Sequence, residues 1–279
     1  MRQRRLARIL RSLREGAGLT IEQVAEKLEL SPSTISRMET AQVGVRTNDL
    51  RPLLDIYKVT GMRRDELLQL ARERRQQVWW QDYKDLPTAA VASLETEAAS
   101  ISQYAAQVIP GLLQTEAYAR TVLRAIHFQA SPEEIARRLK LRVSRQTLLT
   151  DEKAPQYWIV IDEAALRRAI GGRPVMHAQL QRLIDAVALP SVTLQVLPFA
   201  AGAHAGLDGE FTVLSYRDPA DPDVVFIENT GGDAYIENLD VTRRYNSIFD
   251  HLRAAALNPA ESSRTLAVVE HELLESERS

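Results

Sequence analysis

The sequence contains no cysteine among its 279 residues, and that absence excludes several kinds of site at once. Without cysteine the chain has no disulfide, no thiol nucleophile and no zinc site built on thiolates, and it suits a reducing compartment. No run of apolar residues is long enough to span a membrane. The arginine-rich N-terminus is not followed by an apolar segment, so we expect no secretory signal. These absences predict a cytoplasmic protein.

The sequence also lacks the patterns that carry catalysis or hold metals. Its five histidines do not have the spacing of zinc ligands, and no serine lies in a nucleophile-elbow sequence. The glycine-containing turn 230–233 lacks the Lys-Ser/Thr pair of a phosphate-binding loop. We therefore expect no enzymatic activity, no metal and no cofactor.

Charge is small overall but unevenly distributed. The formal net charge is −2, yet residues 1–80 contain 16 Lys and Arg against 10 Asp and Glu, a net charge of +6. The remaining residues contain 19 against 27, a net charge of −8. A basic segment attracts phosphates, whereas an acidic one is repelled by a duplex. The distribution predicts nucleic-acid binding at the N-terminal end.

Residues 19–39 predict two short helices joined by a tight turn. Thr20 and Gln23 have the spacing of a capping box, and apolar residues then recur with helical periodicity as far as Leu28. Ser31 followed by Pro32 predicts the start of a second helix directly after the turn.

The second of these helices has two chemically different faces. A period of 3.6 residues places Ser31, Ile35 and Met38 on its inner side. The outer side is small, hydroxylated and basic, and consists of Pro32, Ser33, Ser36 and Arg37. Such a face suits a major groove, because small side chains allow close approach, hydroxyls contact phosphates or bases, and arginine can contact guanine through two hydrogen bonds.

Residues 6–70 resemble the DNA-binding domain of Xre-type helix-turn-helix repressors. The resemblance is carried by Leu19-Thr20, Gln23-x-Ala25, Leu30-Ser31, Ile35-Ser36-Arg37 and Glu39. It implies a five-helix bundle whose recognition helix begins at Ser31 and places Ser33, Thr34, Ser36 and Arg37 nearest the bases. It also implies a phosphate at Thr20, where free N–H groups and the helix dipole favour an anion.

The same resemblance implies further contacts. Arg14 and Glu39 match positions at which the family often pairs an arginine of the first helix with a glutamate of the recognition helix. The family lays the loop 40–47 against the DNA backbone, which makes Arg46 a phosphate contact, and Gly44 is expected to reverse the chain where Ala41 replaces a frequent glycine. The predicted DNA-binding residues are Thr20, Gln23, Ser31, Ser33, Thr34, Ser36, Arg37 and Arg46. A helical bundle that binds protein is the alternative interpretation.

The remainder of the chain predicts a second domain. Composition changes around Trp79, Trp80 and Tyr83, so we predict a helix-turn-helix domain over 1–78, a linker over 79–93 and an α+β regulatory and dimerisation domain over 94–279. The aromatic residues are interpreted as packing between domains or protomers rather than as stacking platforms for bases.

Periodicity in each domain predicts its helices and strands. Helices are expected at 3–15, 21–28, 31–39, 48–57, 65–78, 94–103, 115–126, 132–149, 163–170, 174–189, 239–256 and 259–275. Strands are expected at 157–161, 192–197, 210–216, 224–227 and 234–236. The predicted fold is a mainly α helix-turn-helix bundle followed by an α+β domain with a small antiparallel sheet.

Four stretches of the second domain resemble the uncharacterised C-terminal domain that follows Xre-type units in actinobacterial regulators. They are Val108–Ala119, Leu197–His204, Phe211–Leu214 and Val225–Asn229. The resemblance implies gene regulation, often beside a small partner protein in antitoxin-like systems. Within these stretches His204 lies in a glycine-rich loop, where it is interpreted either as satisfying backbone groups or as contacting a small-molecule effector.

The sequence therefore predicts a transcriptional regulator that binds double-stranded DNA as a homodimer on a partly palindromic operator. Leu266, Val269, Leu273 and the aromatic linker are expected to contribute to the dimer interface. Two alternatives stay open: an antitoxin-like protein that binds a small protein encoded nearby and autoregulates its operon, and a repressor that responds to a small molecule.

Overall fold

A computed structural model of the protein describes residues 2–40, 43, 45–73, 83, 85–86, 88–218, 221–230 and 232–275. For residues 2–5, 70, 72 and 73 it describes the backbone alone. The chain divides into two compact units, Met1–Gln81 and Asp82–Ser279. Trp79 and Trp80, for which we predicted a packing role, lie outside the described residues.

The described part of the first unit consists of five α-helices, which confirms the predicted bundle. They are α1 (Arg2–Gly16), α2 (Ile21–Lys27), α3 (Pro32–Glu39), α4 (Thr47–Ile56) and α5 (Gly61–Glu73). Helix α5 begins four residues before its predicted start, because Gly61 takes a φ of 63° and turns the chain directly into the helix.

All five helices contribute apolar side chains to one core. Its fully buried members include Leu10, Val24, Ile35, Leu50, Leu53, Leu54 and Leu67. The removal of these side chains from water is the main stabilising contribution to so small a unit. Since Ile35 is in this core, the rotation of α3 about its axis is fixed by packing.

The described part of the second unit contains seven α-helices and six strands. The helices are α6 (Thr88–Glu97), α7 (Glu116–Ile126), α8 (Pro132–Arg145), α9 (Glu163–Arg167), α10 (Arg173–Val187), α11 (Leu239–Ala255) and α12 (Pro259–Glu275). The strands are β1 (Ser100–Ala105), β2 (Gln156–Asp162), β3 (Val192–Leu197), β4 (Phe211–Ser215), β5 (Val224–Ile227) and β6 (Ala234–Ile236). The α+β class is confirmed.

The sheet is mixed, and our prediction of an antiparallel sheet was wrong. Its strand order is β3-β2-β1-β4-β5-β6, with β1 parallel to β2, β2 parallel to β3, and the other pairs antiparallel. The reason lies in the connections. Helices α7 and α8 separate β1 from β2, and α9 and α10 separate β2 from β3, which gives each chain segment the length needed to return to the same edge.

Strand β1 replaces part of the helix predicted over 94–103. Helix α6 ends at Glu97, and Ser100–Ala105 forms a central strand between β2 and β4. In its register Ile101 lies opposite both Tyr157 and Leu214. Pairing on both sides therefore overrides the weak local preference of an alanine- and serine-rich segment.

The apolar face of α12 is used inside the unit, so the prediction that it forms the dimer interface was wrong for Leu266 and Val269. Both side chains are buried where α12 packs against α10 and β3. The Ser262 hydroxyl at the start of the helix accepts a hydrogen bond of 2.9 Å from the Val196 N–H, which ties α12 to β3.

Among the described helices, none combines the length and the apolar character that crossing a bilayer requires.

One glycine of the second unit approaches a buried aromatic ring. The backbone of Gly206 lies over Tyr104 of β1, and a Cβ atom at this position would stand 2.5 Å from Cε1 of the ring. The ring cannot easily give way, because Tyr104 is buried and its hydroxyl donates to Oδ2 of Asp162 at 3.4 Å.

We predict that Gly206→Ala destabilises the second unit by roughly 1–3 kcal/mol, since overpacking forces a buried side chain to shift. Denaturant unfolding of the full chain measures the effect. Gly111→Ala is the matched control, because its added Cβ would meet the Arg142 side chain at an ordinary 3.8 Å. Equal unfolding midpoints for the two variants would contradict the prediction.

Candidate nucleic-acid interface

Helix α2 begins with a complete capping box. The Thr20 hydroxyl accepts a hydrogen bond from the Gln23 N–H at 3.3 Å, and Oε1 of Gln23 accepts one from the Thr20 N–H at 2.9 Å. Both side chains are exposed. The box satisfies two backbone donors at the helix start and occupies the amide oxygen of Gln23.

The turn between α2 and α3 is closed by backbone hydrogen bonds. The Leu30 N–H donates to the Ala25 carbonyl at 2.9 Å, and the Glu29 N–H donates to the Glu26 carbonyl at 3.2 Å. This is the Schellman pattern, in which one residue takes a left-handed conformation, and here Glu29 does so with a φ of 55°. The tight turn fixes where α3 starts relative to α2.

Three hydroxyl groups meet at the start of α3. The Ser31 hydroxyl caps the helix by accepting from the Thr34 N–H at 3.3 Å, and its oxygen lies 2.9 Å from Oγ of Ser33 and 2.8 Å from Oγ1 of Thr34. Our prediction that Ser31 faces inward was wrong, because a cap residue has extended backbone angles and does not follow the helical period.

The two faces of α3 differ as predicted in their chemistry. Ile35, Met38 and Glu39 are buried against the rest of the bundle. On the opposite side Ser33 and Arg37 are exposed, and Thr34 and Ser36 are half-buried. The solvent side of the helix is thus hydroxylated and basic, without a large apolar side chain.

The hydrogen bonding of Arg37 within α3 leaves the two terminal nitrogens of its guanidinium group unused by described residues. Its Nε donates to the Ser33 carbonyl one turn earlier at 3.3 Å, which lays the side chain along the exposed face of α3. No acidic side chain in the described ranges lies within salt-bridge distance of it. Neither terminal nitrogen has a hydrogen-bond partner among the described residues, so both can donate to an external acceptor.

A buried ion pair joins the two ends of the motif. Arg14 of α1 donates from Nε to Oε1 of Glu39 at 2.7 Å and from Nη2 to Oε2 at 2.9 Å. Its Nη1 also donates to the Leu19 carbonyl at 2.9 Å, immediately before α2. The hydrogen bond to Glu39 raises the pKa of Arg14 above its ordinary value. One side chain thus connects α1, the entry to α2 and the end of α3.

Tyr57, at the end of α4, lies close to this pair. Its hydroxyl is buried and makes no hydrogen bond to a described residue. Burial and, secondarily, the Glu39 charge raise the pKa of the Tyr57 phenol. The phenol therefore stays neutral and adds no charge beside the Arg14–Glu39 pair.

The loop after α3 is described only in part. Ala41 and Gly44, which bear on the chain reversal, lie outside the described residues. Arg46 is exposed and has the extended backbone of an N-cap before α4, but its side chain makes no capping hydrogen bond. The side chains of Arg2, Arg4 and Arg5 are outside the description as well.

His204 lies in the second unit, within a cluster at the carboxyl ends of β1 and β2. Its Nδ1 accepts a hydrogen bond of 3.2 Å from the Gly206 N–H, which places the ring proton on Nε2. Nε2 is 3.8 Å from Oδ2 of Asp162, and the ring meets Tyr104 edge-on at 5.8 Å between centroids. His204 thus satisfies a backbone group, while an effector contact stays a prediction.

The sequence did not indicate the neighbours of His204. Asp162 and Tyr104 are 42 and 100 residues away along the chain, and no local pattern relates either one to the histidine. The available signal was the position of Asp162 directly after the predicted strand 157–161, but the parallel pairing that gathers ligand-binding residues at such strand ends was not predicted. Among the described residues, no group of three or more His, Asp or Glu side chains could hold a metal ion.

The first unit therefore has the architecture of a helix-turn-helix domain, which suggests a DNA-binding regulator. Comparison with family models agrees, since residues 5–67 match the family described as a helix-turn-helix domain. Residues 88–267 match a domain of unknown function, DUF5753, and the chain belongs to this family. No curated protein and no solved structure matches the chain.

We predict that Arg14→Met or Glu39→Met alone destabilises the first unit by about 3 kcal/mol, because each leaves one buried charge unpaired. The value lies at the low end of the usual range since the Arg14 side chain is still 11 % exposed. The double variant should recover most of the loss. Hydrogen exchange of the α3 amides in the full chain measures the stability of this unit separately.

Arg11→Met serves as the control, because it removes an exposed pair with Glu15 one turn away on α1. It should change the exchange rates little. Additive losses in the double variant would show that Arg14 and Glu39 are not coupled.

Proposed function

We propose that the protein is an Xre-type, sequence-specific transcriptional regulator that inserts α3 into the major groove of DNA. The supporting observation is the exposed face of α3, which presents Ser33, Thr34, Ser36 and Arg37 while the opposite face is locked into the bundle. A helix with such a face can approach base edges without displacing apolar side chains.

The proposed contacts divide into two classes. Arg37 contacts a base, since its terminal nitrogens can form the paired hydrogen bonds that distinguish guanine. Thr20, Gln23, Ser31 and Arg46 contact phosphates, because they lie at helix starts, where N–H groups and the helix dipole favour anions. The first class determines sequence preference, and the second determines position and salt dependence.

The proposed assembly is a homodimer on a partly palindromic operator. A single helix-turn-helix reads a short half-site, and a second copy one helical turn away supplies the affinity that a regulator needs. The second unit, whose acidic composition disfavours a position along the duplex, provides dimerisation and a sensor or partner-docking function.

One observation favours partner docking of the antitoxin-like kind as the alternative main function. Ile126 and Phe128 at the end of α7 are exposed, Phe128 by 79 %. Adjacent large apolar side chains of this kind are typical of protein contact surfaces. Co-purification of a small protein encoded nearby, lost in a Phe128→Ser variant, would favour this alternative.

Selection of bound duplexes from a random library, with purified full-length protein at two salt concentrations, tests the main proposal. A shared, partly palindromic motif is expected at both salts. Binding that falls steeply with salt and yields no motif would contradict sequence-specific recognition by the protein alone.

We predict that Arg37→Ala weakens binding to the selected operator by roughly 1–3 kcal/mol and relaxes one base position. Fluorescence anisotropy with the operator and its single-base variants measures both effects. Arg63→Ala is the control, because this exposed arginine of α5 pairs with Glu66 and lies outside the proposed contacts. An equal loss on all sequences would place Arg37 among the phosphate contacts.

A further inference from the structure

Helix α8 carries three arginines along one side. Arg138, Arg142 and Arg145 follow the i, i+4, i+7 spacing that aligns side chains on a helix. The outer two are neutralised by acids: Nη2 of Arg138 lies 2.7 Å from Oε1 of Glu134, and Nη2 of Arg145 lies 2.6 Å from Oε1 of Glu95.

The middle arginine has only a neutral protein partner. Arg142 is 9 % exposed, and its Nη1 donates to Oε1 of the buried Gln114 at 3.0 Å. Among the residues that the structure describes, it has no carboxylate within salt-bridge distance and no acceptor for Nε or Nη2. Burial and the Arg145 charge lower the pKa of Arg142 to about 10, with Arg138 adding to the effect, so the group still carries its charge at neutral pH.

The unused nitrogens, Nε and Nη2, form the edge through which two other arginines of this chain bind carboxylates. Arg14 binds Glu39 through Nε and Nη2, and Arg145 binds Glu95 through the same two nitrogens. This edge presents two parallel N–H groups that match the two oxygens of a carboxylate or a phosphate. In Arg142 the same edge meets no protein oxygen in the described ranges.

The guanidinium is also held in place before any ligand arrives. Nε2 of Gln114 donates to the Ile109 carbonyl at 2.6 Å, which fixes the amide that accepts from Arg142. Nε2 of Gln146 donates to the carbonyls of Gly111 and Gln114 at 3.0 and 2.6 Å and pins the turn beside the Arg142 stem. Such preorganisation reduces the entropy lost on binding.

We propose that Arg142 binds a small oxyanion, a carboxylate or a phosphate group, through its Nε and Nη2 atoms. The charge of this buried cation is then compensated by the ligand rather than by a side chain. This inference names a ligand class for the sensor role proposed above for the second unit, and its regulatory significance rests on that proposal. The binding of the anion itself requires no DNA.

Glu228, which follows β5, carries a negative charge that acts on Arg142. The negative charge of Glu228 favours the charged form of Arg142 and so opposes the lowering of the Arg142 pKa. The same charge raises the pKa of Glu210 and of Asp233, where its effect is second to that of burial. A carboxylate in this position repels an incoming anion. Removal of its charge should therefore strengthen binding at Arg142.

The test uses full-length protein with inorganic phosphate and with acetate as probes, at constant ionic strength against chloride. Thermal unfolding of the wild-type protein should shift upward and saturate with at least one of the two anions, and the NMR signal of the Arg142 Nε–H should move with it. Arg142→Gln should weaken binding by at least about tenfold, the loss expected for charge-assisted hydrogen bonds. Glu228→Gln should strengthen it.

Arg124→Gln is the control, because this arginine is exposed on α7 and should leave the anion response unchanged. An Arg142→Gln response equal to that of wild type, or an Arg142 signal that neither anion moves, would overturn the proposal. If Arg142→Gln does not fold, Arg142→Lys, which keeps the charge without the paired N–H edge, should still show weakened binding. Anion binding that leaves operator affinity unchanged would uphold the site and contradict the sensor role.

Discussion

The buried ion pair between Arg14 and Glu39, with its two parallel hydrogen bonds, is the constraint on which the arrangement of the first unit depends. Glu39 is the last residue of α3, and Arg14 also holds the Leu19 carbonyl at the entry to α2. The pair therefore acts at both ends of the helix-turn-helix, while Ile35 fixes the rotation of α3 between them. Apolar packing alone would tolerate small rotations of a short helix. A bidentate ion pair with defined geometry tolerates fewer, and the proposed recognition of a DNA groove needs that precision.

Much of the first unit could be predicted from its sequence because its signals are local. The capping box at Thr20, the Ser31-Pro32 helix start and the apolar period of α3 each require only neighbouring residues. The left-handed conformation of Glu29 could not be predicted, since glycine is the usual residue there and the hydrogen bonds of the turn impose the conformation on a glutamate. The inward prediction for Ser31 failed because a cap residue lies outside the helical period.

The second unit was harder to predict because its structure depends on distant pairing. Strands β3, β5 and β6 were predicted with their observed bounds, since each is a short run rich in apolar residues. Strand β1 was missed because its identity comes from β2 and β4 on either side rather than from its own composition. The grouping of Tyr104 and Asp162 with His204 follows from the same parallel pairing. Likewise, the sequence could not show that Arg138 and Arg145 have carboxylate partners and Arg142 has none among the described residues, because this depends on which acidic side chains reach each arginine in the folded chain.

The hydroxyl cluster at the start of α3 bears on how the sequence preference of the proposed regulator could change. The hydroxyl oxygens of Ser33 and Thr34 each lie within hydrogen-bond distance of the Ser31 oxygen, and each hydroxyl can rotate to become donor or acceptor. Such a surface has no fixed polarity, so it can accommodate several base edges without rebuilding the helix. Arg37, by contrast, can only donate. In the proposed DNA complex, new operator preferences would then arise most readily by replacing one hydroxyl with a side chain of fixed polarity, while the buried Arg14–Glu39 pair keeps the helix in place.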